Sequence, residues 1–274
     1  MPGVAVIIPV FNRQELLVRA IASVRRQTMG DFECIVVDDS SDVPVTLPDV
    51  DRRFSLIRFE RRRGVSAARN RGVAASSASL IAFLDSDDEW LPHKLERQCT
   101  FIDVNPQYDI LQSREVWIRR GIRVNPPMTH KKHAGDLFAE SLKRCMITPS
   151  SVMLRRTLFE SVGGFNESIP ACEDYDLWLR ITARRHVGLV DEHLLVRYGG
   201  HDDQLSAEFT APDRFRVRSM LQLIQYQHLD EYRQELVRQQ IGTKAAILAH
   251  GYRKRGNHAA ARQYFALAGH YGNS

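Results

Sequence analysis

Four apolar runs of strand length, separated by helix-forming segments or long connections, constrain the fold of this 274-residue chain more than any other feature. They occupy residues 4–10, 32–37, 54–59 and 80–84. After the first run, Leu17, Ala20, Ile21 and Val24 recur at helical spacing. Asn12-Arg13-Gln14-Glu15, just ahead of them, has the form of a capping box. A loop rich in Pro and Asp leads to the third run, and the Ala-rich residues 66–75 predict a short helix before the fourth. Strands joined in this way need crossovers, which predicts an α/β fold with a mostly parallel, Rossmann-like sheet and flanking helices.

Two of the runs stop on carboxylates, at Asp38-Asp39 and at Asp85-Ser86-Asp87-Asp88. If these strands are parallel neighbours, both acidic loops lie on the sheet edge where open α/β sheets bind ligands. Carboxylates delivered by a buried strand suit a hard divalent cation, which takes oxygen ligands. The plainer alternative is a polar turn in which Asp88 caps the segment beginning Trp90-Leu91-Pro92. Asp-x-Asp pairs also occur at Asp49/Asp51 and Asp174/Asp176, but only Asp85/Asp87 follows a strongly apolar strand.

Farther along, residues 91–104, 137–144 and 175–182 read as helices. Residues 109–119 alternate like a strand with one exposed face, 150–154 read as a short strand, and 121–135 as a flexible loop. No strand pattern follows residue 211, where the chain reads as helices. An apolar content of 43% with 26% charged residues describes an ordinary globular protein, and no apolar stretch approaches the ~20 residues of a membrane span. The N-terminus reads as a first strand and not as a signal peptide. Cys34, Cys99, Cys145 and Cys172 lack C-x-x-C spacing and read as reduced thiols of a cytoplasmic protein. The net charge of +5 is uneven: residues 211–274 hold ten Lys/Arg against four Asp/Glu, while the first 210 hold 28 against 29. That distribution assigns the basic surface to the tail.

Five segments in order carry a resemblance. They are Val-Ile-Ile-Pro-Val-Phe-Asn at 6–12, Val-Val-Asp-Asp-Ser-Ser at 36–41, Gly-Val-Ser-Ala-Ala-Arg-Asn-Arg-Gly at 64–72, Phe-Leu-Asp-Ser-Asp-Asp at 83–88 and Glu-Asp-Tyr-Asp-Leu-Trp-Leu-Arg at 173–180. Over residues 4–206 the chain resembles the GT-A glycosyltransferases, and among them the inverting family 2. The resemblance implies a GT-A catalytic domain over 1–206, with a nucleotide-binding half (1–90) and an acceptor half (91–206). Residues 207–274 then form a C-terminal helical extension. It also implies transfer of a sugar from a nucleotide sugar, of the UDP type, to a hydroxyl acceptor in polysaccharide or lipid-linked glycan assembly.

Such a transfer expels a diphosphate whose charge Mn2+ or Mg2+ can neutralise. By resemblance, Asp87 is the metal ligand, Asp85 lies nearer the donor ribose, and Asp88 acts through water. Asp38 and Asp39 sit by the nucleobase, with Asp39 accepting a hydrogen bond from uracil and Phe11 or Pro9 lining the base. Arg69, an always-charged planar donor, is a candidate for phosphate, with a surface salt bridge as its plainer alternative. Asp174 is the expected general base, against the alternative that Glu173 and Asp174 only stabilise a helix start. Trp178 reads as core. His201 is a candidate late metal ligand.

The basic C-terminal helices suggest peripheral attachment to an anionic membrane face, and no nucleic-acid motif is present. Two rivals remain at this point. A sugar nucleotidyltransferase would carry a Gly-rich first loop, which Pro9-Val10-Phe11-Asn12-Arg13 is not. A non-catalytic nucleotide-sugar or glycan binder would tolerate loss of the acidic positions, all of which are intact.

Overall fold

The computed structural model describes residues 3–47, 51–200, 209–226 and 228–272. Its sheet of nine strands runs in the order β3-β2-β1-β4-β8-β6-β9-β5, with β7 paired to β6. The first four strands are β1 (Val4–Val10), β2 (Phe32–Asp38), β3 (Phe54–Arg58) and β4 (Leu80–Phe83), and all pair in parallel. All seven residues of β1 are buried, as a central strand covered on both faces requires. Alternation along β1 sorts its side chains between two helices. Val4, Val6 and Ile8 share a core with Leu17, Ile21 and Val24 of α1 (Gln14–Arg25). Ala5 and Ile7 pack with Ala67, Ala68 and Val73 of α2 (Val65–Ala74). Gly72 permits that close approach, because a Cβ there would lie 2.4 Å from Ile7 Cγ2.

Pro9 sits in this central strand without loss of a ladder bond. The Ile7 carbonyl accepts from Leu84 and the Val10 carbonyl from Asp39, so Pro9 faces the β4 side. Pairing with β4 ends at Ile7, and no N–H is needed at Pro9.

The other half is built from β5 (Glu89–Trp90), α3 (Lys94–Val104), β6 (Ile110–Arg119), β7 (Ile122–Val124), α4 (Phe138–Lys143), β8 (Met153–Arg155), α5 (Arg156–Ser161), α6 (Glu173–Thr182) and β9 (Gly188–Gly199). β8 bridges β4 and β6 antiparallel, and β6 pairs with β9 in parallel.

Three expectations need correction. The twelve-residue β9 has no counterpart in the sequence reading, because Asp191-Glu192-His193 breaks its apolar pattern where the register to β6 also shifts. Residues 121–135 are not simply a loop: β7 closes a hairpin on β6, and Lys132 is buried against Glu115 at 3.2 Å. The capping box does not form. Asn12 adopts a left-handed φ of 53° and exchanges hydrogen bonds with Asp42, so α1 begins behind Arg13 with no side-chain cap.

Among the described residues, three helices follow: α7 (Asp213–Tyr226), α8 (Glu231–Lys254) and α9 (His258–Gly272). Met220, Leu223, Val237 and Ile241 share a core with Phe138 and Leu142 of α4 and Tyr175 and Leu179 of α6. Arg233 adds bonds to the Ala183 carbonyl and to Asp136. The tail therefore packs on the helices that border the acidic segment at 173–176. Among the described residues, no helix is long and apolar enough to cross a membrane.

Candidate active site

Because β1 lies between β2 and β4, the loops after β2 and β4 leave the same edge side by side. The Asp38 carboxylate is fully buried and turns inward. It accepts from the Ser41 amide at 2.9 Å and hydroxyl at 2.6 Å, and from Arg58. Burial opposes its ionisation, yet these donors hold its carboxyl below the ordinary aspartate range. Asp39 accepts the amides of Arg63 at 2.6 Å and Gly64 at 2.8 Å, fixing the loop that starts α2. Phe11, just past β1, is half-buried beneath the Arg62 guanidinium, 4.2 Å from ring centroid to Cζ. Phe11, Asp38 and Asp39 are thus brought together, with Pro9 buried behind them.

After β4, the three carboxylates of the acidic turn have different surroundings. Asp85 keeps a side-chain exposure of 30% and takes Arg69 Nη2 at 2.7 Å. Asp87 takes Arg13 Nη1 at 2.9 Å, while its carbonyl accepts from Arg19 at 2.5 Å. Asp88 turns inward, accepting from Ser150 Oγ at 2.6 Å and from the Tyr198 amide at 3.1 Å. Burial, followed by the charges of Asp87 and Asp85, pushes its carboxyl well above the ordinary aspartate range. Asp88 therefore anchors the turn to β9 and does not cap the segment after it.

A carboxylate-only donor set at Asp85 and Asp87 fits a hard divalent cation. Among the described residues, no third His, Cys, Asp or Glu joins them in a metal-holding group. The pair suits an ion that takes its remaining ligands from phosphate and water, as Mg2+ commonly does. His201, the other candidate ligand, lies outside the described residues.

Arg69 departs from expectation. Its side chain is 4% exposed, and its terminal nitrogens bridge Asp85 and Glu173, the latter at 2.8 Å. It is neither a surface salt bridge nor open to a phosphate in this arrangement. Instead it ties the acidic turn to the start of α6. There Asp174 is half-buried, with Oδ1 accepting the Tyr175 amide at 2.7 Å and Oδ2 lying 3.3 Å from the Cys145 thiol. Burial, then the Asp174 charge, raises the Cys145 thiol well above its usual range, so it stays a donor to that carboxylate. Asp176 pairs with Arg180 at 2.7 Å, and Arg180 holds the carbonyls of Val162 and Gly164. Trp178 is buried in the core, as expected.

The segment 145–151, which carries no motif, links these parts. Cys145 meets Asp174, Thr148 donates to Glu115 at 3.2 Å, and Ser150 donates to Asp88 while accepting the Asp85 amide at 3.0 Å. The Ser150 carbonyl in turn accepts Trp90 Nε1 at 2.8 Å. Only the Thr-Pro-Ser-Ser composition hints at a turn, and composition does not reveal its partners. A cavity of about 390 Å³ between the loop 162–167 and α7 is separate from this carboxylate cluster, although Asp176 borders it.

Residues 5–163 match the model of the Glycosyl transferase family 2. An Escherichia coli relative, UDP-Glc:alpha-D-GlcNAc-diphosphoundecaprenol beta-1,3-glucosyltransferase WfgD, is 31% identical over 69% of this chain and 73% of its own length. An uncharacterized glycosyltransferase of Rickettsia bellii is 32% identical over 70% of this chain, which spans only 28% of that longer protein. The crystal structure of S. aureus TarS 1-349 in complex with UDP-GlcNAc superposes with a TM-score of 0.66 at 15% identity, covering 97% of this chain and 91% of that one. The fold is that of the GT-A glycosyltransferases, and the chain belongs to glycosyl transferase family 2.

Proposed function

We propose that the protein is a metal-dependent, inverting transferase that moves a sugar from a UDP-sugar to a hydroxyl of a lipid-linked saccharide. The observation that carries this reading is the Arg69 bridge, which brings the Asp85 turn and the Asp174 helix start into one site. Phe11 and Asp39 would hold the uracil end and Asp85 the ribose. Asp85 and Asp87 would hold the cation, which when bound supplies positive charge against the departing diphosphate.

Asp174 would take the proton of the acceptor hydroxyl as that oxygen attacks the anomeric carbon from the face opposite the diphosphate. It stands in the first turn of α6. Arg69, paired on both sides, acts as a positioning residue: it fixes the spacing between donor carboxylates and base. A diphosphoundecaprenol-linked sugar is the acceptor named for the WfgD relative, which supports the lipid-linked class here. The UDP-GlcNAc complex of TarS supports the donor class.

The division into a catalytic unit (1–206) and a helical extension (207–274) belongs to the same reading. Arg253, Lys254 and Arg255 at the end of α8 support contact with an anionic membrane face.

The test is transfer from radiolabelled UDP-glucose and UDP-GlcNAc to a short-chain prenyl-diphosphate GlcNAc, with manganese. Product from wild type, none from Asp174→Asn and none in chelator supports the reading. Equal product from Asp174→Asn removes the base assignment.

A further inference from the structure

Outside its tail the chain concentrates positive charge at residues 52–71 and again on β6 and the segment after it. Residues 114–133 contain six Lys/Arg and one acidic residue, Glu115. β6 and β9 pair in parallel with Trp117 opposite Arg197, so these side chains leave the same face, as does Arg119 two residues on. The Arg197 and Arg119 guanidinium carbons stand 5.1 and 5.4 Å from the Trp117 ring centroid, and His130 packs edge-on at 5.7 Å. Both arginines are exposed to water.

Glu115, Asp88 and Asp85 act on Arg197 electrostatically, but each has a nearer partner. Glu115 pairs with Lys132, Asp85 with Arg69, and Asp88 is held by Ser150 and the Tyr198 amide. Among the described residues, neither Arg197 nor Arg119 has a carboxylate within ion-pair distance. The Trp117 indole is buried, and its Nε1 lacks an acceptor among the described residues.

The cluster adjoins the reacting centre. Val196 pairs with Glu89, and the Tyr198 amide binds Asp88, so Arg197 rises directly beside the acidic turn. It stands on the side away from the nucleotide end. Phe11 and Asp39 belong to the β1–β2 edge, whereas β6 lies two strands beyond β4, about 10 Å at ordinary strand spacing.

We propose that Arg197 and Arg119, flanking Trp117, form an anion subsite that binds a phosphate of the acceptor beside the transfer centre. This rests on the donor reading above only for the word acceptor; the subsite itself stands on the cluster. Guanidinium groups suit phosphate because their fork of donors matches its oxygens. The same chemistry could be met by the donor's own diphosphate, and the experiment separates the two sources.

The probe is inorganic pyrophosphate, titrated calorimetrically into the full chain saturated with UDP, with magnesium in excess of both. Wild type binds pyrophosphate alongside UDP. Arg197→Ala and Arg119→Ala each weaken that binding by about ten-fold, the scale of one lost charge-assisted contact, and leave UDP affinity unchanged. Thermal melting of both variants checks that they fold, as exposed positions should. Failure of pyrophosphate to bind UDP-loaded protein, or unaltered binding by both variants, overturns the proposal. Weakened UDP binding by Arg197→Ala also overturns it, by assigning the charge to the donor. If UDP itself does not bind, the donor reading fails separately, and the same titration without UDP still decides whether the arginines hold an anion.

Discussion

Arg69 Nη2 lies 2.7 Å from Asp85 Oδ1, inside the protein and beyond easy reach of solvent. The relationship matters because the second arm of Arg69 holds Glu173, the residue before Asp174. Arg69 and Glu173, 104 residues apart in sequence, are thereby fixed to each other. The charge that holds them is expensive to remove. Asp85 also keeps one oxygen outside this bond, so bracing does not consume the whole carboxylate.

Arg69→Ala should destabilise the fold by about 3–5 kcal/mol, because it leaves a buried Glu173 charge without its partner. Burial already raises the Glu173 carboxyl above its ordinary range, with Arg69 acting against that. Transfer should be lost along with stability. Urea unfolding measures the first effect, and Arg69→Lys should recover only part of it, since an ammonium lacks the fork that reaches both acids. Unchanged stability in Arg69→Ala contradicts the bridge.

Asp174→Asn should lower kcat by about 10²–10⁴, the range for a lost general base, while UDP-sugar binding persists. Cys145→Ala removes one hydrogen bond to that carboxylate and should have a much smaller effect. A large loss of donor affinity in Asp174→Asn would move this residue from the acceptor side to the donor side.

Ser150→Ala removes the donor to Asp88 and the acceptor for the Asp85 amide at once. The expected loss is about 1–3 kcal/mol of stability, with weaker manganese-dependent UDP binding, because both groups set the acidic turn. If UDP affinity survives intact, the turn does not need this anchor.

Lys94 provides a pH test away from the site. It is fully buried in α3, with Nζ 2.5 Å from Gln98 Oε1 and 4.0 Å from the Trp90 ring centroid. Burial pulls its ammonium down to about 7. Above that pH the folded form has lost a proton that the unfolded lysine keeps, so stability rises with pH from about 7. Buried thiols oppose the trend higher up: Cys34 and Cys145 keep protons that unfolded thiols release near pH ~8.5. Melting between pH 7 and about 8.5 should therefore rise for wild type and lose that slope in Lys94→Met. An identical slope in both would show that Lys94 does not titrate there.

Most of the parallel half is legible from the chain, because the buried strands β1, β2 and β4 give apolar runs and two of them lead into aspartates. The acidic cluster follows from the same pattern once β1 separates β2 from β4. The partners inside the cluster are not legible. Arg69 looks like any cation in an Ala-rich helix, and its burial depends on Glu173, far along the chain. Asp88 and Asp87 are adjacent and chemically alike, yet one turns into the protein toward Ser150 and the other toward Arg13. β9 escaped because its inward residues are interrupted by charges where the strand bulges. The arginine cluster around Trp117 escaped because Trp117 and Arg197 meet only across that strand pair.

The most direct test of the central claim is thermal melting of the full chain with UDP, UDP-glucose and UDP-GlcNAc, each with manganese and then with chelator. A ligand at a hundredfold excess over its dissociation constant stabilises by about 2.7 kcal/mol, a readily measured rise. UDP compounds should raise the melting point, and chelator should abolish that rise and Asp87→Asn strongly reduce it. No rise with any UDP compound in manganese, or a rise indifferent to chelator and to Asp87→Asn, would contradict a metal-assisted UDP-sugar site at the end of β4.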